Sequence, residues 1–275
     1  DDLLDTSGTG GGASTFNVST TAALIAAGAG CAVAKHGNRS ATSRSGSADL
    51  LEALGARIDL GPGEVASCIE QAGFGFMFAP SHHQATRFVV PVRRDLAVRT
   101  IFNLLGPLTN PAGARRQLIG VSDPRFLERM AGALAQLGVD RALLVSSEDG
   151  LDEISARAPT RVVEVNGEQI DSYTLTPQDV GLEPGAEEPR GGSPDENAAL
   201  TRAILAGSDG GRGPAPGQAL AAINAGAAIY AAGRVETIAE GVEAAREALQ
   251  DGRAMRALED YVAVSRRLAP EASAR

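Results

Sequence analysis

"LLDTSGTGGGASTFNVSTTAALIAAG", residues 3–28, passes through three textures in succession. Its first residues read as the middle of a strand entering a loop. Residues 7–20 then hold four glycines and seven side chains ending in a hydroxyl or an amide. Glycine carries an entropic cost, so packing alone does not favour such a run. Residues 20–28 have the marks of a helix, with Ser19 or Thr20 as its cap, alanine and leucine in its body and glycine to close it. A glycine-rich loop entering a helix offers unpaired backbone N–H groups and the positive end of a dipole, which suits a phosphate. Thr15, Asn17, Ser19 and Thr20 add donors. The G-x-G-x-x-G pattern fails at Ala13, and no G-x-x-x-x-G-K-[ST] occurs.

The alternation continues downstream. Residues 31–34 read as a short strand ending in a polar loop, 35–47, "KHGNRSATSRSGS", where Lys35 and Arg39 supply charge and five hydroxyls supply orientation. A helix is predicted at 49–54, a strand at 57–60 and a helix at 64–71. "FGFMFA", 74–79, is apolar throughout and of strand length, the mark of a buried parallel strand. From 80 to 111 the pattern changes to helices broken by proline and glycine. Strands follow at 117–121 and 141–146 around a helix at 124–137. A hairpin with strands 161–165 and 169–174 turns at Asn166-Gly167, and helices occupy 195–206, 216–232, 235–250 and 253–267. This order implies an α/β fold, a central, mostly parallel sheet flanked by helices. Ligands of such folds sit at the carboxyl ends of strands, so the two polar loops converge on one crevice. Asp152-Glu153, in "EDGLDEIS" after strand 141–146, adds adjacent carboxylates that can hold Mg²⁺ together with substrate phosphates.

Composition sets the outer bounds. The 275 residues are 43% apolar and 21% charged, ordinary values for a globular enzyme, and suffice for one large domain or one large plus one small. A formal net charge of −9, with no long basic run, disfavours a nucleic-acid partner. Cys31 and Cys68 are too few for a disulfide framework and read as buried, reduced thiols of a cytoplasmic protein. No apolar run approaches the ~18 residues of a membrane span, and no signal peptide is seen. The chain opens in mid-strand without methionine, so the natural protein is expected to start further upstream.

"GTGG…TFNVST", "KHGNRS…SGSADLLEALG", "VRR…RTIFNLLGPLTNP" and "GLDEIS", in this order, resemble the anthranilate phosphoribosyltransferase family of tryptophan biosynthesis. The resemblance implies an α/β domain made of residues 1–79 and 116–275. Residues 80–115 would form the internal part of a small helical domain whose N-terminal helices are absent here. Family members pair as homodimers through that domain. Gly8, Gly11, Gly12, Thr15, Asn17, Val18, Ser19 and Thr20 would hold the diphosphate of phosphoribosyl pyrophosphate. Lys35, His36, Gly37, Asn38, Arg39, Ser40, Ala41, Thr42 and Ser43, with Ser47, would hold the diphosphate and the ribose 5-phosphate end. Ser19 and Glu153 would share one Mg²⁺, and Asp152 with Glu153 a second. Anthranilate would meet Gly8, Asn38 and Arg93, with His36 and Pro107 shaping its tunnel and a general-base role as the alternative for His36. Arg93 is apt, because its planar fork pairs with a carboxylate and stacks on a ring. His82 and His83 adjoin the anthranilate side without metal-ligand spacing. One departure stands out: most members have an aspartate where Gly12 stands, in a loop one residue longer.

The implied reaction is displacement of pyrophosphate at ribose C1 by the anthranilate amine, with charge neutralisation and positioning as the main catalytic effects. Two readings of related architecture compete. A nucleoside phosphorylase would use inorganic phosphate and a nucleobase, against which the "KHGNR" loop and the Asp152-Glu153 pair argue. A non-enzymatic nucleic-acid binder would want a basic groove.

Overall fold

The structure, a computed structural model, describes residues 2–40, 44–82, 102–183, 189–207 and 214–269. Strand β1 (Leu3–Gly8) leads through the glycine loop into α1 (Val18–Gly28), which returns the chain to β2 (Ala32–Gly37), parallel to β1. Helices α2 (Ser47–Ala53) and α3 (Pro62–Ala72) precede β3 (Phe74–Phe78), parallel to β2. The chain then forms β4 (Arg116–Gly120), α4 (Leu127–Gln136), β5 (Arg141–Ser147) and the hairpin of β6 (Thr160–Asn166) and β7 (Gln169–Leu175). Helices α5 (Pro194–Leu205), α6 (Gln218–Ala231), α7 (Ile238–Gln250) and α8 (Arg253–Leu268) complete it.

Among the described residues the sheet has seven strands in the order β3-β2-β1-β4-β5-β6-β7. The first five run parallel, and β6 and β7 are antiparallel. Side chains alternate between its faces. Leu4, Val33, Leu118, Leu143 and Val145 join one core with α1, α6, α7 and α8. Ile119, Val121, Ala142, Leu144 and Val163 join a second core with α4. Strand β3 lies at the sheet edge, yet Phe74 is fully buried because Tyr261 of α8 meets it edge-on, ring centroids 4.7 Å apart.

The chain steps outward from β1 to β2 and β3, then returns to the far side of β1 for β4. The strand order therefore reverses between β1 and β4, where Gly8 lies opposite Gly120. Such a switch point splays the carboxyl-end loops apart and opens a crevice for a ligand.

Three predictions need correction. Residues 57–60 form no strand. They are tied to α8 by the Arg57 N–H donating to Ser265 Oγ at 3.1 Å, and Ile58 and Leu60 are buried, so the apolar alternation records burial against helices rather than pairing. Strand β2 does not stop at 34, because β3 offers a partner as far as Gly37 opposite Phe78, and Lys35 and His36 therefore sit on a strand. Helix α1 starts at Val18, and its cap position is Asn17 rather than Ser19 or Thr20. Of residues 80–115, 83–101 lie outside the described residues. The described parts hold the helical turns Ala79–His82 and Phe102–Leu105 and the 3₁₀ turn Gly106–Leu108. Cys31 and Cys68 are buried and free of disulfides, as expected.

Candidate active site

The glycine loop folds back on the sheet edge. Gly10 and Gly11 take φ of 66° and 88°, a region that side chains with a Cβ rarely adopt. The turn lets the Thr9 N–H donate to Gly120 O and the Ala13 N–H to Gly150 O, both at 2.8 Å. Thr9 Oγ1 accepts the Ser122 N–H at 3.0 Å. Asn17, expected to face a diphosphate, is otherwise engaged. Its Nδ2 donates to Ser45 O at 3.0 Å, and its Oδ1 accepts from Ser45 Oγ at 3.1 Å and from Asn197 Nδ2 at 2.8 Å. The side chain thus stitches the first loop to the second and to α5. Helix α1 is left with no side-chain cap, and the amides of Ser19 and Thr20 lie at a dipole end suited to an anion.

The second loop redistributes its charges. Lys35 is 1% exposed. Its ammonium donates to Thr6 O, to Thr6 Oγ1 at 3.1 Å and to Ser19 Oγ at 3.3 Å. Burial pulls its pKa down to about 8, while Asp5 and Glu153 pull the other way. The Arg39 guanidinium donates to Asp49 Oδ1 and Glu52 Oε1, both at 2.9 Å. Both cations expected to supply charge to a ligand are therefore held by the protein. A desolvated ammonium needs acceptors around it, and α2 presents two carboxylates within reach of Arg39. Asp49 also accepts the N–H groups of Gly46 at 2.9 Å and Ser40 at 3.1 Å. Burial alone would raise its pKa, but those donors and Arg39 outweigh it and hold the carboxyl below 3.8. The His36 N–H donates to Asp5 Oδ1 at 3.2 Å. A Cβ at Gly37 would lie 2.9 Å from the Phe76 ring and 3.1 Å from Ser47 Cβ, so only glycine lets the chain leave β2 there. Ala41, Thr42 and Ser43 lie outside the described residues, as does Arg93.

The third segment is the acid loop after β5. It is cross-tied by Asp149, which accepts from Ser147 Oγ at 2.6 Å and from Ser155 Oγ at 2.8 Å. Asp152 fits into a slot of bare backbone. A Cβ at Gly120 would overlap the Asp152 carbonyl oxygen, and one at Gly12 would lie 2.5 Å from Asp152 Oδ1 and 2.7 Å from Asp152 N. The glycine at position 12 is thus what admits Asp152 to the glycine loop. Burial and then the neighbouring Asp152 carboxylate push Glu153 well above the usual carboxylate range, and Lys35 opposes them. A divalent cation relieves such a like-charge contact. The doublet, with the Ser19 hydroxyl close to the same lysine, offers the hard oxygen donors that suit Mg²⁺. Among the described residues no group of three or more His, Cys, Asp or Glu is placed to hold a metal ion. A cation here would complete its shell with substrate and water oxygens, as Mg²⁺ usually does.

Three further predicted residues fall within the described chain. Gly8 ends β1, and exposed Asn38 follows β2. Pro107 is buried in its 3₁₀ turn, and the same stretch is tied to β2 by Asn110 Nδ2 donating to Ala34 O at 2.9 Å. Sequence reasoning missed Ser45, Asn197, Asp149, Gly120 and Asn224. Only Asn224 left a signal, as an amide in the middle of the apolar run "ALAAINAGAAI".

A mostly parallel sheet with a phosphate-suited glycine loop and an acid doublet at its switch point fits a transferase of phosphorylated sugars. The family model described as "Glycosyl transferase family, a/b domain" matches residues 1–255. The chain belongs to the anthranilate phosphoribosyltransferase family. It is 54% identical over 269 residues to the Rubrobacter xylanophilus anthranilate phosphoribosyltransferase, covering 97% of this chain and 78% of that one. The crystal structure of the Thermus thermophilus enzyme superposes with a TM-score of 0.88 at 52% identity, over 96% of this chain and 78% of that one. The Saccharomyces cerevisiae enzyme in complex with phosphoribosyl pyrophosphate and Mg superposes at 0.86 with 30% identity, over 97% of this chain and 74% of that one. Its complex with 4-fluoroanthranilate superposes at 0.85 with 28% identity, over the same shares.

Proposed function

We propose that this chain transfers the phosphoribosyl group of phosphoribosyl pyrophosphate to the amine of anthranilate and releases pyrophosphate. The observation that carries the reading is the contact of all three loops at one switch point: Asn17 with Ser45, and Gly12 with Asp152. The yeast relative's complexes with phosphoribosyl pyrophosphate and Mg, and with 4-fluoroanthranilate, support the same two substrates.

The amine nitrogen forms a bond to ribose C1 as the C1–O bond to diphosphate breaks. The leaving oxygen keeps the electron pair, and the amine loses a proton. The amides of Ser19 and Thr20 at the uncapped start of α1 bind the diphosphate where negative charge grows, the kind of stabilisation that dominates such steps. Lys35 keeps the Ser19 hydroxyl in place and offsets part of the charge of Glu153. Asn38, Ser40 to Ser43 and Ser47 orient the ribose 5-phosphate. Gly8, Asn38, Arg93, His36 and Pro107 border the anthranilate, with Arg93 pairing with its carboxylate. No side chain acts as nucleophile, and His36 lines the tunnel. Two Mg²⁺ held by Ser19, Asp152 and Glu153 would neutralise the departing diphosphate. Residues 80–115 would belong to a small helical domain that pairs two copies of the protein in the cytoplasm.

Loss of anthranilate fluorescence with phosphoribosyl pyrophosphate and Mg²⁺ tests the reading directly. Unchanged fluorescence, or turnover of uridine or thymidine with phosphate instead, would refute it.

A further inference from the structure

Asn224 lies in the middle of α6, fully buried, in a helix otherwise built of alanine, glycine, leucine and isoleucine at its buried positions. Its side chain grips the main chain of Ile154, the residue directly after the acid doublet. Asn224 Oδ1 accepts the Ile154 N–H at 3.0 Å, and Asn224 Nδ2 donates to Ile154 O at 2.9 Å. The second Nδ2 hydrogen goes to Leu220 O, one turn back in the helix, at 2.9 Å. The amide therefore reads both polar groups of one residue, as a neighbouring strand would, and its own orientation is fixed by the helix. On the other side of the loop, Asp152 rests on bare Gly120 and Gly12. The doublet is thus suspended between a helix that grips its C-terminal side and a strand that leaves no slack beneath it.

We propose that Asn224 is a positioning residue for the metal-binding doublet: its bidentate grip on Ile154 sets the placement of Asp152 and Glu153 against the diphosphate loop. This rests on the phosphoribosyl-transfer reading above. The chemistry requires such a device. A loop carrying adjacent like charges drifts apart unless its backbone is held, and Mg²⁺ demands near-ideal octahedral geometry. Residues that orient metal ligands from outside typically alter metal affinity or activity about 10–100-fold.

The test compares Asn224→Ala, Asn224→Leu and Asn224→Asp with the wild-type chain. Asn224→Leu preserves volume without the grip, and Asn224→Asp keeps the acceptor but loses the donors. The Mg²⁺ concentration for half-maximal turnover is expected to rise about tenfold or more, while KM for anthranilate stays within about twofold. Calorimetric titration of Mg²⁺ into the protein with phosphoribosyl pyrophosphate should show the same weakening, and this readout does not need turnover. Ser265→Ala removes a buried hydroxyl of α8 that accepts the Arg57 N–H. It serves as a control that lowers thermal stability and leaves the Mg²⁺ requirement unchanged. Folded Asn224 variants with an unaltered Mg²⁺ requirement would overturn the inference. Should none fold, hydrogen exchange of the Ile154 amide in the wild-type chain decides: core-like protection supports the grip, and loop-like exchange refutes it. A wild-type chain inactive on both substrates would refute the parent reading instead, and the calorimetric comparison would still stand.

Discussion

Two carboxylates near the last parallel strand are treated in opposite ways. Glu164, on β6, accepts the Tyr230 hydroxyl at 2.8 Å and the Tyr173 hydroxyl at 3.0 Å, and Arg141 Nε lies 3.9 Å from it. The Arg141 guanidinium also stacks 4.7 Å from the centroid of the Tyr230 ring. Glu153, past the end of β5, has a like-charged neighbour where Glu164 has donors, and it is pushed well above the usual range by burial first and by Asp152 next. A desolvated acid beside another acid adds nothing to stability, because the contact costs free energy. Glu164 is built to hold β6, β7 and α6 together. Glu153 has the surroundings that a bound cation would relieve.

The largest expected effect breaks this contrast at Glu153. Glu153→Gln keeps the shape and removes the charge. Turnover should fall about 10²–10³-fold, the size of losing one major electrostatic contact to the transition state. Thermal stability should hold or rise, because the like-charge contact disappears. Near-wild-type turnover at saturating Mg²⁺ would show that the acid is structural after all.

Glu164→Ala should do the reverse. Two phenol hydroxyls and a guanidinium lose their acceptor in a partly buried setting, at a cost of about 1–3 kcal/mol of unfolding free energy. Denaturant unfolding would read this loss, with kcat within about twofold of wild type. A collapse of activity at unchanged stability would place Glu164 in the machinery and erase the distinction.

The same contrast explains what was legible in the sequence. A strand-forming run such as 74–79 was readable because burial of a parallel strand leaves an unbroken apolar signature. The glycine loop and the acid doublet were visible as residue types, each weakly specific alone, and the fold brings Gly12 against Asp152. Residues 57–60 misled, since alternation reports burial and not pairing. Lys35 and Arg39 misled for a related reason. Charge in a polar loop is visible in sequence, but whether it points at a ligand or at Thr6, Ser19, Asp49 and Glu52 depends on which acceptors the fold brings near. Asn17 to Asn197 and Asn224 to Ile154 join residues far apart in the chain, and no local pattern encodes such a meeting.

A smaller effect sharpens the picture at the second loop, where a carboxylate is again well supplied with donors. Asp49 ties Ser40, Gly46 and Arg39 together. Asp49→Asn should cost about 1 kcal/mol, as loss of a helix-start carboxylate commonly does, and should weaken phosphoribosyl pyrophosphate binding while leaving anthranilate binding alone. The pH dependence has a definite sign. The folded-state pKa lies below 3.8, so the stability from Asp49 is fully present above that value and is lost as pH falls through the lower folded one. The difference between wild type and Asp49→Asn should therefore be constant near neutrality and close in strong acid. A gap that widens on acidification would contradict the hydrogen bonds seen here.

The smallest expected effect lies furthest from the crevice. Cys31 precedes β2, at the amino end of the sheet, and Cys68 packs inside α3. Burial pushes each thiol up to about 11, against the pull of Arg234 on Cys31 and of Arg267 on Cys68. Only the thiolate reacts, so at pH 8 a thiol reagent should label neither cysteine in the folded chain and both after denaturation. Phosphoribosyl pyrophosphate with Mg²⁺ should slow labelling only as far as it suppresses unfolding. Rapid labelling that the ligands abolish would mean that the helical face opens locally and closes with the crevice. The quiet end of the sheet would then be coupled to the charged one, and the division drawn between Glu164 and Glu153 would no longer separate scaffold from site.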